Sequence, residues 1–370
     1  MDIKKSEFEG LIKSLVFGFL TILIVSQALS QYIIQPLTYD GSLVRNGRYS
    51  FTLDAWETIG KNEQETIVGI GTSLTQYALS GNCIGKELHS SESSVYNLGV
   101  PGSLPYIEMM QTTVAIQKSP SLILLEVNPI NLYPLEFASE DYIEMRIQLN
   151  SLYLESSGYG EWENLLRPQD VIHLDGVVTN RFGSESAYFN SALEEHLEVI
   201  ITDKEKYPHW YLSTPSPKSV QWDEYLREPP LLPRYLDSLN DTELKVYENE
   251  TIIQKLRALR YNPSADDNLN KIAIDYMVKQ FSENDIPVVL VSYPIHPNAV
   301  LALQNEQFKE HNQTLQQLGS YHGVTVLNLI WDTYWSPLDF YDIEHLDVRG
   351  REKLCSVIAP VIDEILNAEI

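Results

Sequence analysis

From residue 66 onward the chain alternates short, near-continuous apolar runs with longer stretches whose apolar residues recur at helical spacing. The runs Thr66–Gly71, Val95–Leu98, Ser121–Val127, Pro287–Ser292 and Val324–Leu329 read as strands. Apolar side chains at consecutive positions, rather than at every second one, are the pattern of strands covered on both faces, as in a parallel sheet. The intervening stretches Leu74–His89, Leu104–Lys118, Asn268–Asn284, Asn305–His322 and Gly350–Ala368 read as helices. Strand and helix in alternation predict an α/β fold, a three-layer α/β/α sandwich around a five-stranded parallel sheet. One interval, 133–262, breaks the rhythm and is too long for a loop. It is rich in Tyr and Trp (Tyr142, Tyr153, Tyr159, Trp162, Tyr188, Trp210, Tyr211, Trp222, Tyr225) and is punctuated by prolines, so it reads as an inserted cap. Its rings suit either a substrate cleft or ordinary packing.

The N-terminus carries a different pattern. From Leu11 to Leu37 the residues are predominantly apolar, and no charge occurs between Ser14 and Tyr39, more than the roughly 20 residues that cross a bilayer core. Lys4, Lys5 and Lys13 precede this run and the next basic residue is Arg45, which predicts a cytoplasmic N-terminus and an exported remainder. A cleaved signal peptide ending near Ala28-Leu29-Ser30 is the alternative, and it exports the chain equally. The expected organisation is thus a tip and transmembrane anchor (1–37), a juxtamembrane linker (38–65), a core domain (66–132 with 263–370) and the cap (133–262).

Charge narrows the partners. With 51 acidic and 26 basic side chains the 370-residue chain has a net charge of −25, which argues against binding nucleic-acid phosphates. Two cysteines are too few for a disulfide scaffold or a zinc cluster, and none of the eight histidines belongs to a metal set, so no metal or cofactor is expected. Asn240, Asn249 and Asn312 head glycosylation sequons.

The candidate chemistry lies at the ends of the predicted strands. Gly69-Ile70-Gly71-Thr72-Ser73 turns from the first strand into a helix, which exposes the Ser73 hydroxyl at the sheet edge beside helix N-terminal amides. A dinucleotide fingerprint is excluded there, because Leu74 stands where its third glycine would be. Helix capping is the plainer role for Ser73. After the last strand, Asp342-Ile343-Glu344-His345 places a carboxylate three residues before an imidazole. That spacing lets Asp342 orient His345 as a base for a serine hydroxyl. His296, after the fourth strand, falls on the same edge and is a candidate for the substrate pocket, as is Thr72.

In order along the chain, Gly71-Thr72-Ser73-Leu74, Tyr96-Asn97-Leu98-Gly99, Glu126-Val127-Asn128-Pro129 and Asp342-Ile343-Glu344-His345 resemble the four blocks of the SGNH (GDSL-like) hydrolases. The resemblance covers 66–133 and about 263–370. It departs from the family pattern at Thr72, where an Asp is usual, and at Glu126 and Pro129, where Gly and Asp are usual. It implies the SGNH, flavodoxin-like sandwich, with Ser73 as nucleophile, His345 as base and Asp342 as its partner. The implied oxyanion donors are the N–H groups of Ser73 and Gly99 and the Asn128 side chain. With the anchor, and with Tyr-Pro-Ile-His-Pro after the fourth strand, the plan is similar to the envelope branch that handles acyl groups on surface polymers. That implies an esterase or O-acyltransferase acting on an acylated glycan, with a membrane-bound acyl-donor protein as a partner. The alternative is a non-catalytic envelope protein that keeps the fold to bind polysaccharide.

The cysteines connect to this plan. Cys83 and Cys355 each lie ten residues beyond a triad member, Ser73 and His345 respectively, on helices leaving the same edge. With the triad assembled they sit at similar depth, where a disulfide can form in an exported chain; two separate buried thiols are the alternative.

Overall fold

The computed structural model describes residues 5–29, 65–88, 93–135, 138–179, 235–246, 267–302, 305–330 and 335–368, with a few single positions besides. Its centre is a five-stranded sheet of β1 (Thr66–Ile70), β2 (Ser94–Asn97), β3 (Leu122–Glu126), β4 (Val288–Ser292) and β5 (Val324–Asn328). All neighbours pair in parallel, in the order β2-β1-β3-β4-β5. Each strand lies within a residue or two of its predicted run. β1 to β4 are buried at every position, which is why the runs are continuous rather than alternating.

The helices are α1 (Lys5–Leu29), α2 (Ser73–Ala78), α3 (Gly81–Glu87), α4 (Pro105–Glu108), α5 (Thr112–Lys118), α6 (Glu140–Ser157), α7 (Pro168–Thr179), α8 (Asp241–Val246), α9 (Leu269–Glu283), α10 (Pro297–Ala302), α11 (Asn305–Leu318) and α12 (Val348–Ala368). Successive strand residues feed opposite cores. Ile123 and Leu125 join Val68, Ile70 and the apolar faces of α4, α5 and α9, whereas Leu122 and Leu124 join Ile67, Ile84 of α3 and Leu354, Ile358 and Ile362 of α12. The expected three layers are present. The helix predicted over Leu74–His89 is two helices, because Leu79 leaves helical geometry and the Ser80 hydroxyl starts a new helix by accepting from the Cys83 N–H.

Two of the expected segments contribute side chains to this core. Of the cap, Ile143, Ile147, Trp162 and Leu174 belong to the same core cluster as β1 and β3, and Trp162 donates to the Thr113 hydroxyl at 3.1 Å. Trp162 is therefore a core ring, not a cleft wall; Tyr188, Trp210, Tyr211, Trp222 and Tyr225 lie outside the described residues. Of the linker, Ala55, Trp56 and Ile59 are buried in that cluster, and the Trp56 indole donates to Gln111 at 3.1 Å.

Among the described residues no helix is long and apolar enough to cross a membrane. In α1 the uncharged part runs from Ser14 to Leu29 and rises about 24 Å, short of the roughly 30 Å hydrocarbon core. The remainder of the apolar run, to Leu37, is almost entirely outside the described residues.

Candidate active site

The strand order reverses at β1: β2 lies on one side and β3 on the other. In open parallel sheets the crevice at such a switch point, outside the carboxyl ends of the strands, is the usual site for ligands. The chain leaves β1 through Gly71 and enters α2 at Ser73, with Thr72 as the N-cap whose hydroxyl accepts from the Leu74 N–H at 3.2 Å. There is no room for a side chain at Gly71, since a Cβ would lie 2.2 Å from the Thr75 hydroxyl and 2.5 Å from Glu126. Ser73 itself is half-buried and its hydroxyl is 2.8 Å from Nε2 of His345.

His345 stands in the turn between β5 and α12. Its Nδ1 is 2.8 Å from Oδ2 of Asp342, while Oδ1 of Asp342 accepts from the N–H groups of Glu344 and His345, both at 2.8 Å. One carboxylate therefore shapes the turn and orients the ring. The network assigns the proton to Nδ1, leaving Nε2 to accept from Ser73. Burial pushes the Asp342 carboxyl up, but the His345 ring and the hydrogen bonds from it and from the two N–H groups outweigh that and hold it below the ordinary carboxylate value. Asp342 and His345 keep 17% and 16% of their side-chain surface exposed, so the pair opens onto the surface without being freely solvated.

The turn is tied down on several sides. The His296 N–H donates to the Ile343 carbonyl at 3.0 Å and its ring packs edge-on against Phe340 at 5.4 Å. The Tyr77 ring of α2 lies 4.6 Å from the His345 ring, and Arg351 of α12 donates to the Tyr77 carbonyl at 2.9 Å. Asp347 accepts from the Gly350 N–H at 3.0 Å and so starts α12. The cysteines form the Cys83–Cys355 disulfide between α3 and α12, with Cα atoms 6.1 Å apart.

Four residues proposed for the site have other duties. Thr72 is buried and gives its hydroxyl proton to Glu126, so it is not a pocket wall. His296 is 3% exposed, a brace behind the Asp342–His345 turn rather than a pocket residue. The Gly99 N–H donates to Oδ1 of Asn97 at 3.1 Å and so is already engaged. Position 99 needs glycine for closeness: a Cβ would come within 2.7 Å of the Thr72 carbonyl. Asn128 accepts from the Tyr293 N–H at 2.8 Å and donates to its carbonyl at 2.9 Å, which cross-links the ends of β3 and β4 and leaves one amide hydrogen for any other use.

Ser73 N–H is different. In the first turn of α2 the Leu74 N–H goes to the Thr72 hydroxyl, the Thr75 N–H to Glu126, and the Gln76 N–H to the Thr72 carbonyl. As the first residue of the helix, Ser73 has an N–H with no intrahelical acceptor, the kind of donor that can hold an oxyanion next to Oγ.

No protein-family model matches this chain, and no curated protein does. The reading of the site accordingly rests on its geometry. Residues that the sequence did not single out are nonetheless central to it: Thr75, Asn131, Tyr77, Arg351 and Asn97, whose side-chain amide donates to the carbonyls of Thr75, Gln76 and Leu79 and closes the end of α2. Apart from Asn131, which meets Glu126 five residues before it, their partners are distant in the chain, and no spacing rule reveals them. Among the described residues no cluster of His, Cys, Asp and Glu is arranged as a metal site.

Proposed function

We propose that the chain is an exported serine esterase or O-acyltransferase of the SGNH type, working through an acyl-Ser73 intermediate. The observation that carries this is the continuous chain of hydrogen bonds Ser73 Oγ to His345 Nε2 and His345 Nδ1 to Asp342, each at 2.8 Å. A polysaccharide-binding module has no use for that alignment.

In the first step Oγ attacks the ester carbonyl and its proton passes to Nε2, while the Asp342 carboxylate stabilises the resulting imidazolium. The carbonyl electrons move onto oxygen, held by the Ser73 N–H with the remaining Asn128 amide hydrogen, each donor worth about 3 kcal/mol. The tetrahedral adduct collapses, the imidazolium returns its proton to the departing alcohol, and the acyl group stays on Ser73. A second hydroxyl, from water or from a sugar, then gives its proton to Nε2 and attacks the acyl carbon; the bond to Oγ breaks, the imidazolium returns the proton to Oγ, and an acid or a new ester leaves.

The Cys83–Cys355 bridge supports an oxidising, exported setting. The N-terminal apolar run supports membrane anchorage, with Leu15, Phe17, Ile22 and Ile24 of α1 all exposed. An acylated surface glycan as substrate, and a membrane-bound acyl donor, follow from the resemblance of the anchored plan, with Tyr-Pro-Ile-His-Pro after β4, to the envelope branch. Labelling with a fluorophosphonate tests the core of the proposal. Wild-type protein is expected to label and Ser73→Ala not to; absence of labelling in folded wild type would overturn it. Incubating labelling-competent protein with acetylated oligosaccharides, with and without an unacetylated acceptor, separates hydrolysis from transfer.

A further inference from the structure

Behind the nucleophile lies a buried acid that the triad does not use. Glu126 ends β3 and is 1% exposed. Its carboxylate accepts from the Thr72 N–H at 2.8 Å, the Thr72 hydroxyl at 2.8 Å, the Thr75 N–H at 3.0 Å, the Thr75 hydroxyl at 2.7 Å and the Asn131 amide. Two of these partners flank Ser73 on either side. The N–H groups of Thr72 and Thr75 can only donate, both to one oxygen, and Asn131 turns its NH2 group to the other, so both oxygens of Glu126 accept.

From this geometry we infer that Glu126 is the positioning residue of the nucleophile, resting on the proposed serine chemistry and naming what aims it. None of these hydrogen bonds is to Ser73 itself. By gripping the residues before and after, it sets the direction in which Oγ leaves the elbow, toward Nε2 of His345. It also takes up the Thr75 N–H, which leaves the Ser73 N–H as the α2 donor to a developing oxyanion. A hydrophobic residue of similar size would strand two backbone N–H groups in the interior, and a glutamine would turn an NH2 group toward donors. Burial, and after it the negative charge of Glu126, push the nearby Glu108 up to about 8.

The test is the kinetics of fluorophosphonate labelling on the full chain, resolved into a maximal rate and a half-saturating concentration. Variants are Glu126→Gln, Glu126→Asp and Thr75→Val, each checked for its thermal midpoint, with Ser73→Ala as the blank. Misaiming a nucleophile by about 1 Å costs on the order of 100-fold in rate. Glu126→Gln is therefore expected to lower the maximal rate by about that factor at unchanged half-saturation, and Glu126→Asp, which keeps the charge on a shorter stem, to fall between it and wild type. A folded Glu126→Gln that labels within about threefold of wild type, or that loses only in half-saturation, overturns the inference and leaves the serine chemistry standing. Unlabelled wild type overturns both. Should Glu126→Gln not fold, Thr75→Val decides: it removes one hydroxyl from the carboxylate, a slowing of roughly fivefold is expected, and an unchanged rate overturns the inference.

Discussion

Ser73 and His345 meet at one sheet edge, yet they are held there by different means. The elbow around Ser73 depends on Glu126, 54 residues from Thr72 and 51 from Thr75, and on Asn97 reaching back to the end of α2. His345 is oriented by Asp342, three residues before it, through one ring contact and two backbone contacts within the same turn. The first arrangement exists only once β1 and β3 are paired. The second is a local turn that a short peptide already encodes, and the fold merely has to deliver it, through His296, Arg351 and the disulfide, to the mouth of β1. On the proposed chemistry, a nucleophile tolerates little angular error, which favours a buried carboxylate with five donors; a base that gives and takes a proton is better placed on a turn that keeps a small part of its surface exposed.

The contrast can be broken most severely at its contact point. Ser73→Ala and His345→Ala are each expected to lower ester turnover by about 10⁴-fold or more with unchanged thermal midpoints, measured on a chromogenic ester. Asp342→Asn is the next largest. It keeps the shape of the turn but puts an NH2 group where the ring donates, so the rate is expected to fall on the order of 10³–10⁴-fold while a residue of activity persists.

The joint between the two regions gives a smaller effect, and on stability rather than chemistry. The disulfide links residues 272 apart. Its loss in a Cys83→Ala, Cys355→Ala double variant is expected to cost about 2–4 kcal/mol in denaturant unfolding. Labelling should fall by less than about tenfold, because the Arg351 bond to Tyr77 and the Asp342 turn remain. A loss of labelling as complete as that of Ser73→Ala would mean that the bridge, not the local contacts, aligns the two halves.

The smallest effect is the dependence of stability on pH. Glu108 is raised to about 8 when folded, so it contributes stability that is whole at low pH and is lost as pH rises through that value. His311 is lowered to about 4 by burial, against the opposing hydrogen bond to the Val127 carbonyl, so its contribution is lost as pH falls from about 6.5 toward 4. Each has a slope approaching about 1.4 kcal/mol per pH unit, of opposite sign. Their sum is flat between about pH 5 and 6.5 and falls above it. Glu108→Gln is expected to remove the fall at higher pH, seen as a thermal midpoint that no longer drops between pH 6.5 and 8.

Much of this protein was legible before folding is considered. Double burial writes itself as unbroken apolar runs, so β1 to β4 were marked to within a residue or two. β5 was marked equally well although it lies at the sheet edge and is only half-buried. A strand-to-helix glycine turn marks Ser73, and a three-residue spacing marks Asp342 with His345. The spacing of Cys83 and Cys355 left a bridge and two separate thiols both open; the structure forms the bridge, from α3 rather than from the helix that leaves Ser73.

The donors and their acceptors were decided otherwise. Gly99 and Asn128 sit where the block pattern expects them, but their polar groups face Asn97 and Tyr293. Thr72 and Glu126, which look in the sequence like two separate departures from that pattern, are hydrogen-bonded to each other at 2.8 Å. The linker ring of Trp56 and the cap ring of Trp162 are core. Periodicity and spacing report what a residue does along its own element, with a reach of a few positions. Which buried donor finds which acceptor across a parallel sheet depends on strand order and register, and those are set only when the whole chain closes its core.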